Sequence, residues 1–184
     1  MGMPNIRLLV CLSPLFLAGC SHVAYLAQAA RGQGELLARR QPIECLLDEV
    51  GTGQELRRQL ERVQRIRRFA SAELGLPDNT SYLSYADLQR PYAVWNVVAA
   101  PEFSVTARRW CFPIAGCVAY RGYFNKQAAQ RFAGRLREEG DDVFVGGVKA
   151  YSTLGWFDDP VLNTFIYEPP EKLAALIFHE LAHQ

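Results

Sequence analysis

Apolar positions along the chain switch between two periods. From Gly53 onward Leu56, Leu60, Val63, Ile66 or Arg67, Ala70 and Leu74 recur at steps of three and four, the spacing that lines one face of an amphipathic helix. Pro77-Asp78-Asn79 ends that run. Residues 21–40 also lean helical but carry Gly32 and Gly34, each costing about 1 kcal/mol against alanine, so part of this stretch is expected to be a tether. Residues 92–99 and 103–106 read as strands, and 110–112 with 118–120 as a hairpin whose bend holds Pro113 and Gly116. Asn125 is placed to cap a helix reaching about Glu139, with Ala128, Phe132 and Leu136 on one side. After the Gly140-Asp141-Asp142 break, a strand is expected at 143–148, then an aromatic loop around Trp156 and Phe157. Pro169 and Pro170 open a last helix, with Glu171 in its first turn. This order predicts an α+β domain, a small and mostly antiparallel sheet with flanking helices.

Six arginines lie between Arg57 and Arg68. Most fall opposite the apolar stripe, with Glu55, Glu61 and Glu73 among them, which describes a solvated helix face better than an RNA or headgroup site. Composition agrees: 20 basic against 19 acidic residues in 184 give a net charge of +1, too little for a field that recruits nucleic acid. With 49% hydrophobic residues the chain has ordinary globular makeup.

The N-terminus departs from that pattern. Arg7 precedes an almost wholly apolar stretch over 8–17, an export-signal core well short of the roughly 20 residues that span a bilayer. Leu17-Ala18-Gly19-Cys20 follows at once and resembles a bacterial lipobox. The resemblance implies cleavage of residues 1–19, a diacylglyceryl group on Cys20, and a bacterial envelope location. Ser21, standing where an aspartate would retain such lipoproteins, implies the outer membrane, periplasmic side. Residues 20–40 are then a tether or helix, and 41–184 the folded body. Loss of Arg7 leaves 19 charges of each sign.

The chemistry is concentrated at the other end. The last helix closes on His179-Glu180-Leu181-Ala182-His183. Residues four apart on an α-helix stand one turn above each other on one face, so both imidazoles reach one ion. Glu180 is turned by about 100° from His179 and lies beside that ion rather than on it, where a carboxylate takes a proton from an attacking water. Leu173, Ile177 and Leu181 form an apolar row that should seat this helix deep in the fold. Cys111 and Cys117 flank the hairpin bend, and a disulfide is expected there in an oxidising compartment. Cys45 is left over, and His22, beside the lipid site, reads as a tether residue.

With these residues in view, the chain resembles the bacterial predicted zinc aminopeptidases called Aminopep, many of which look like lipoproteins. The likeness runs from about residue 40 to the end. It rests on Tyr92-Ala93-Val94-Trp95-Asn96-Val97-Val98-Ala99-Ala100-Pro101-Glu102-Phe103-Ser104, on residues 110–124, on Ala150-Tyr151-Ser152-Thr153-Leu154-Gly155-Trp156-Phe157-Asp158-Asp159-Pro160, and on residues 177–184. It implies a zincin-like fold, a peptide substrate, Zn2+ bound by His179 and His183, and Glu180 as general base. A catalytic zinc takes three protein ligands and keeps one open position, and family members look longer, with an acidic third ligand beyond the motif. The sequence therefore reads as truncated after His183-Gln184. Glu102, Asp158, Asp159 and Glu168 are acids that could substitute, and their spacing favours none. The Asp158-Asp159-Pro160 loop reads either as a capped turn or as a grip on a substrate amino group. A non-catalytic envelope lipoprotein with an aromatic binding surface is the alternative function.

Overall fold

The computed structural model describes residues 13–112, 116–153 and 155–183, and side chains from Val23 onward. Residues 1–12 of the expected leader and the side chain of Cys20 lie outside the described residues.

The described chain is mixed α/β, with five helices and three small sheets. Helix α1 (Ser13–Ala38) runs unbroken through both glycines. A Cβ on Gly32 would overlap the Phe124 ring, so that glycine permits a close approach. From Tyr25 onward α1 is packed rather than free, and Leu36 is fully buried. Strand β1 (Arg40–Pro42) leads to α2 (Ile43–Asp48) and then to α3 (Gln54–Ala72). The predicted stripe on α3 holds for Leu60, Val63 and Ala70, all fully buried. It fails at Leu74, which is exposed because α3 stops at Ala72 and Gly75 turns the chain with φ 65°.

At the stripe position left open between Ile66 and Arg67, it is Arg67 that is buried. Its side chain is 3% exposed. Nε donates to the Ser81 carbonyl (3.1 Å), and Nη2 donates to the carbonyls of Pro77 and Asn79 (2.8 Å each). One cation thereby satisfies the backbone of the loop after α3, and burial lowers its pKa.

Two cores follow. The larger lies among α1's end, α2, α3, residues 82–93, and two later elements, β8 (Val161–Leu162) and α5 (Pro170–Ala182). Here β1 pairs antiparallel with β2 (Ser84–Ala86), and β2 pairs parallel with β8. The smaller core is built on β3 (Val94–Pro101), flanked antiparallel by β6 (Arg121–Tyr123) and β7 (Asp141–Val148). On β3, Trp95, Val97 and Ala99 turn one face inward, and α4 (Lys126–Glu138) covers them with Ala129, Phe132 and Leu136. Asn125 caps α4, its Oδ1 accepting the Ala128 N–H at 2.9 Å. This second unit starts and ends at one place, where the Ala93 N–H donates to the Val148 carbonyl at 2.9 Å.

Three expectations need correction. One mostly antiparallel sheet is replaced by three separate ones with a parallel pair, because β8 returns to β2 after the whole second unit. Residues 103–106 form no strand: Phe103 has φ 61°, the Ser104 N–H turns back to Pro101, and the Ser104 hydroxyl accepts the Thr106 N–H. The hairpin is β4 (Trp110–Phe112) with β5 (Gly116–Val118), so its second strand ends where a start was expected, and the next residues form β6. Cys111 stands opposite Cys117 in that ladder, with the sulfurs bonded at 1.96 Å.

Candidate functional site

The site is set by how α5 is held. Pro169 precedes the helix and Pro170 opens it, supplying fixed φ where no intrahelical N–H is needed. Leu173, Ile177 and Leu181 have no exposed surface, and Phe178 meets Phe69 of α3 at 6.1 Å between ring centroids. This seats one face of the helix in the larger core. The histidines occupy the other side, at its last turn. Both are exposed, with Nε2 of His183 3.1 Å from Nε2 of His179 and the ring planes at 84°. Two neutral imidazoles meet this closely either as donor to acceptor or as two acceptors turned on a shared cation.

Glu180 is half-buried. Close enough to feel its charge are Tyr82 and Asp159, two residues that no periodicity singles out. Tyr82 is 2% exposed and sits in the left-handed region, φ 63°, uncommon for a large side chain and a form of strain that gathers at functional sites. Its conformation is held on both sides: Arg67 grips the Ser81 carbonyl, and the Tyr82 N–H donates to the Asp159 carbonyl at 2.7 Å. Burial drives the phenol pKa far up, the negative charges of Asp159 and Glu180 push it further, and a hydrogen bond with Ser152 opposes them. Tyr82 is therefore a neutral hydroxyl at any working pH.

Asp159 is 1% exposed. Its Oδ2 accepts from the Ser152 hydroxyl (3.1 Å) and the Thr153 N–H (2.7 Å), and Oδ1 accepts from the Thr153 hydroxyl (2.9 Å). Burial raises its pKa above the ordinary aspartate value; these hydrogen bonds pull it back, and Glu180 raises it again. The bonds all come from its own loop, so the capped-turn reading describes this carboxylate. Neighbouring Asp158 takes the Thr80 hydroxyl, and its carbonyl takes Arg40 at 2.8 Å.

None of the four acids considered as a third ligand joins the histidine pair. Asp159 is committed to its loop, Asp158 to Thr80, Glu168 to Lys149 at 2.5 Å, and Glu102 is exposed in the turn after β3. Among the described residues no group of three or more His, Cys, Asp or Glu is arranged to hold a metal. Cys45 is exposed and free, while Cys111 and Cys117 are bonded to each other.

A family model described as "Putative aminopeptidase" (Aminopep) matches residues 24–184. The chain belongs to the Aminopep family. That match takes in α1 from Ala24, both cores and the whole His179–His183 motif, so Aminopep membership rests on the full body and not on five letters. It supports a peptidase. Comparison with curated proteins and with solved structures finds no significant match. Among the described residues of this Aminopep chain, no helix is long and apolar enough to cross a membrane.

Proposed function

We propose that the chain carries the site of a zinc-dependent aminopeptidase of zincin-like build, supplying two of the three protein ligands a catalytic zinc takes, and is held on the periplasmic side of the outer membrane by a lipid on Cys20 once residues 1–19 are removed. The observation that carries the reading is the pair of imidazole Nε2 atoms 3.1 Å apart at the end of a buried helix. Two nitrogens each 2.0–2.1 Å from one tetrahedral zinc stand about 3.3 Å apart, so the pair fits two corners of such a site. What a bound zinc supplies is polarisation of the carbonyl under attack and a lowered pKa for water.

The chain's own groups do the rest. His179 and His183, as neutral imidazoles, hold the two corners, and the apolar row of α5 keeps them in pitch. Glu180, turned off that axis, accepts a proton from the attacking water at a carboxylate oxygen and returns it to the leaving amine. Its half-buried setting beside the neutral Tyr82 hydroxyl and buried Asp159 keeps that carboxylate in a restricted polar environment. Removal of an N-terminal residue is the family's contribution to this reading.

A second reading follows from one specific observation, the lack of a third ligand among the described residues: an envelope lipoprotein that binds a partner or polymer through exposed aromatics such as Trp156 and Phe157. Zinc titration with hydrolysis of a panel of aminoacyl amides separates the two. His179→Ala is expected to abolish zinc uptake. Glu180→Gln is expected to keep zinc and lose roughly 10²–10⁴ in rate. Equal rates with and without the Glu180 carboxylate would overturn the peptidase reading in favour of the second.

A further inference from the structure

The outward side of α1 is unusual for a helix so firmly packed on its other side. Val23 and Leu26 are 66% and 53% exposed, and Ala27 and Ala30 are exposed beside them. From Leu8 to Ala30 the sequence holds no Asp, Glu, Lys or Arg; the first charge is Arg31. At 1.5 Å rise per residue, Leu26 stands about 9 Å along the helix axis from Cys20 and Ala30 about 15 Å. An apolar stripe thus begins within a turn of the residue proposed to carry lipid.

The inward side fixes where this stripe faces. The Tyr25 ring stacks on Phe112 of β4 (5.4 Å, 28°), meets Tyr123 edge-on (5.5 Å), and carries the Arg121 guanidinium 3.9 Å above it. Gln28 accepts the Phe124 N–H at 3.3 Å and donates to the Gly122 carbonyl at 3.4 Å. The helix therefore cannot swing independently of the body. The segment it is clamped to is one-signed in sequence, with seven Arg and Lys and no Asp or Glu over residues 103–137; Arg108 is paired with Glu139 and Asp141 and Arg121 is buried on Tyr25, which leaves Arg109, Lys126, Arg131, Arg135 and Arg137 exposed.

We propose that the outer face of α1 over 23–30 is a docking surface for an anionic phospholipid bilayer. It seats the body directly on the membrane, with cations of the 103–137 segment serving the headgroups. Such a surface combines buried apolar area with attraction to anionic lipid. Two signals also hold a protein to a bilayer far better than one acyl chain. The inference takes its location from the proposed lipid on Cys20, and its test is independent of that lipid.

The test uses the chain from residue 20 onward, the form that export leaves, with Cys20→Ser so that neither the lipid nor the apolar 8–17 stretch contributes, sedimented with vesicles of phosphatidylethanolamine and phosphatidylglycerol or of phosphatidylcholine. Adding Val23→Glu and Leu26→Glu is expected to lower partition onto the anionic vesicles at least about tenfold, with unchanged melting because both side chains are exposed. High salt is expected to weaken the parent's binding. Val50→Glu with Leu74→Glu, exposed apolar positions outside the 103–137 segment, is expected to leave it unchanged. Equal binding by the α1 variant and its parent would overturn the proposal, as would an equal loss from the 50/74 variant. Self-association that the α1 variant abolishes, without vesicle binding by the parent, would assign the face to a second copy instead. Separately, the mass of the natural N-terminal peptide reports lipid on Cys20. An unmodified cysteine there sinks the anchor reading and leaves the vesicle result standing.

Discussion

Replacing Arg67 by alanine tests how the loop beneath Glu180 is held. The guanidinium donates to three carbonyls, those of Pro77, Asn79 and Ser81, and charge-assisted bonds contribute about 1.5–3 kcal/mol each. Their full sum overstates the loss. Pro77 and Asn79 are half-exposed and their carbonyls regain water, whereas Ser81 is 2% exposed and its carbonyl is left dry. One stranded acceptor at about 1–3 kcal/mol, plus the lost packing of the arginine stem, gives a destabilisation of about 3–4 kcal/mol. For a chain of this size that lowers Tm by roughly 10 °C. Urea unfolding followed by circular dichroism measures it. Arg67→Lys, which keeps the charge but not the planar fork, is expected to lose about half as much. A loss below about 1 kcal/mol for Arg67→Ala, or wild-type stability for Arg67→Met, would refute the claim that these bonds hold the loop, leaving the buried charge a net cost.

Other outcomes follow from the same structure. Ile177→Ala on α5 removes a fully buried side chain; a loss of about 2–5 kcal/mol is expected, with weaker zinc uptake in titration because the histidine pair loses its seat. Gly32→Ala forces a methyl into the Phe124 ring, and calorimetry is expected to show about 1–3 kcal/mol of overpacking. Reduction of Cys111–Cys117, which spans only six positions, is expected to cost about 2 kcal/mol in urea titrations with and without dithiothreitol. Asp159 binds its proton more readily folded than unfolded, so its contribution favours the fold at low pH and is lost as pH rises from the ordinary aspartate value through the raised one. The stability difference between the parent and Asp159→Asn, followed by urea midpoints from acid to neutral pH, is expected to shift against the parent across that interval.

Local pattern made α3, α4, α5, β3 and β7 readable in advance, since each repeats a period long enough to stand out, while the hairpin was legible only from the Pro113 and Gly116 of its bend, and its second strand was misplaced. The strands β1, β2 and β8 did not stand out. They span three, three and two residues, too few for any alternation, and they meet only because residues near 40, 84 and 161 are brought together by the larger core. The histidine spacing was legible because helical geometry turns it directly into distance. Tyr82 was not, because its importance arises from a left-handed backbone and from neighbours 70 or more positions away, Ser152 and Asp159. The stripe on α3 left one step open between Ile66 and Arg67; only the loop folding back over α3, whose carbonyls the guanidinium meets, decides for Arg67.

The contact between Ala93 and Val148 makes the middle of the chain a detachable insert. Everything from β3 to β7 leaves and re-enters the larger core through one doorway, so a shortened chain that splices Ala93 to Lys149 should still close its remaining strands and seat α5. The losses would fall on the N-terminal helix, whose Tyr25, Gln28 and Gly32 would face empty space, and on Tyr151, which would lose the Phe124 ring. The middle third can accordingly be exchanged or enlarged, while the turn bearing the two imidazoles stays where it is.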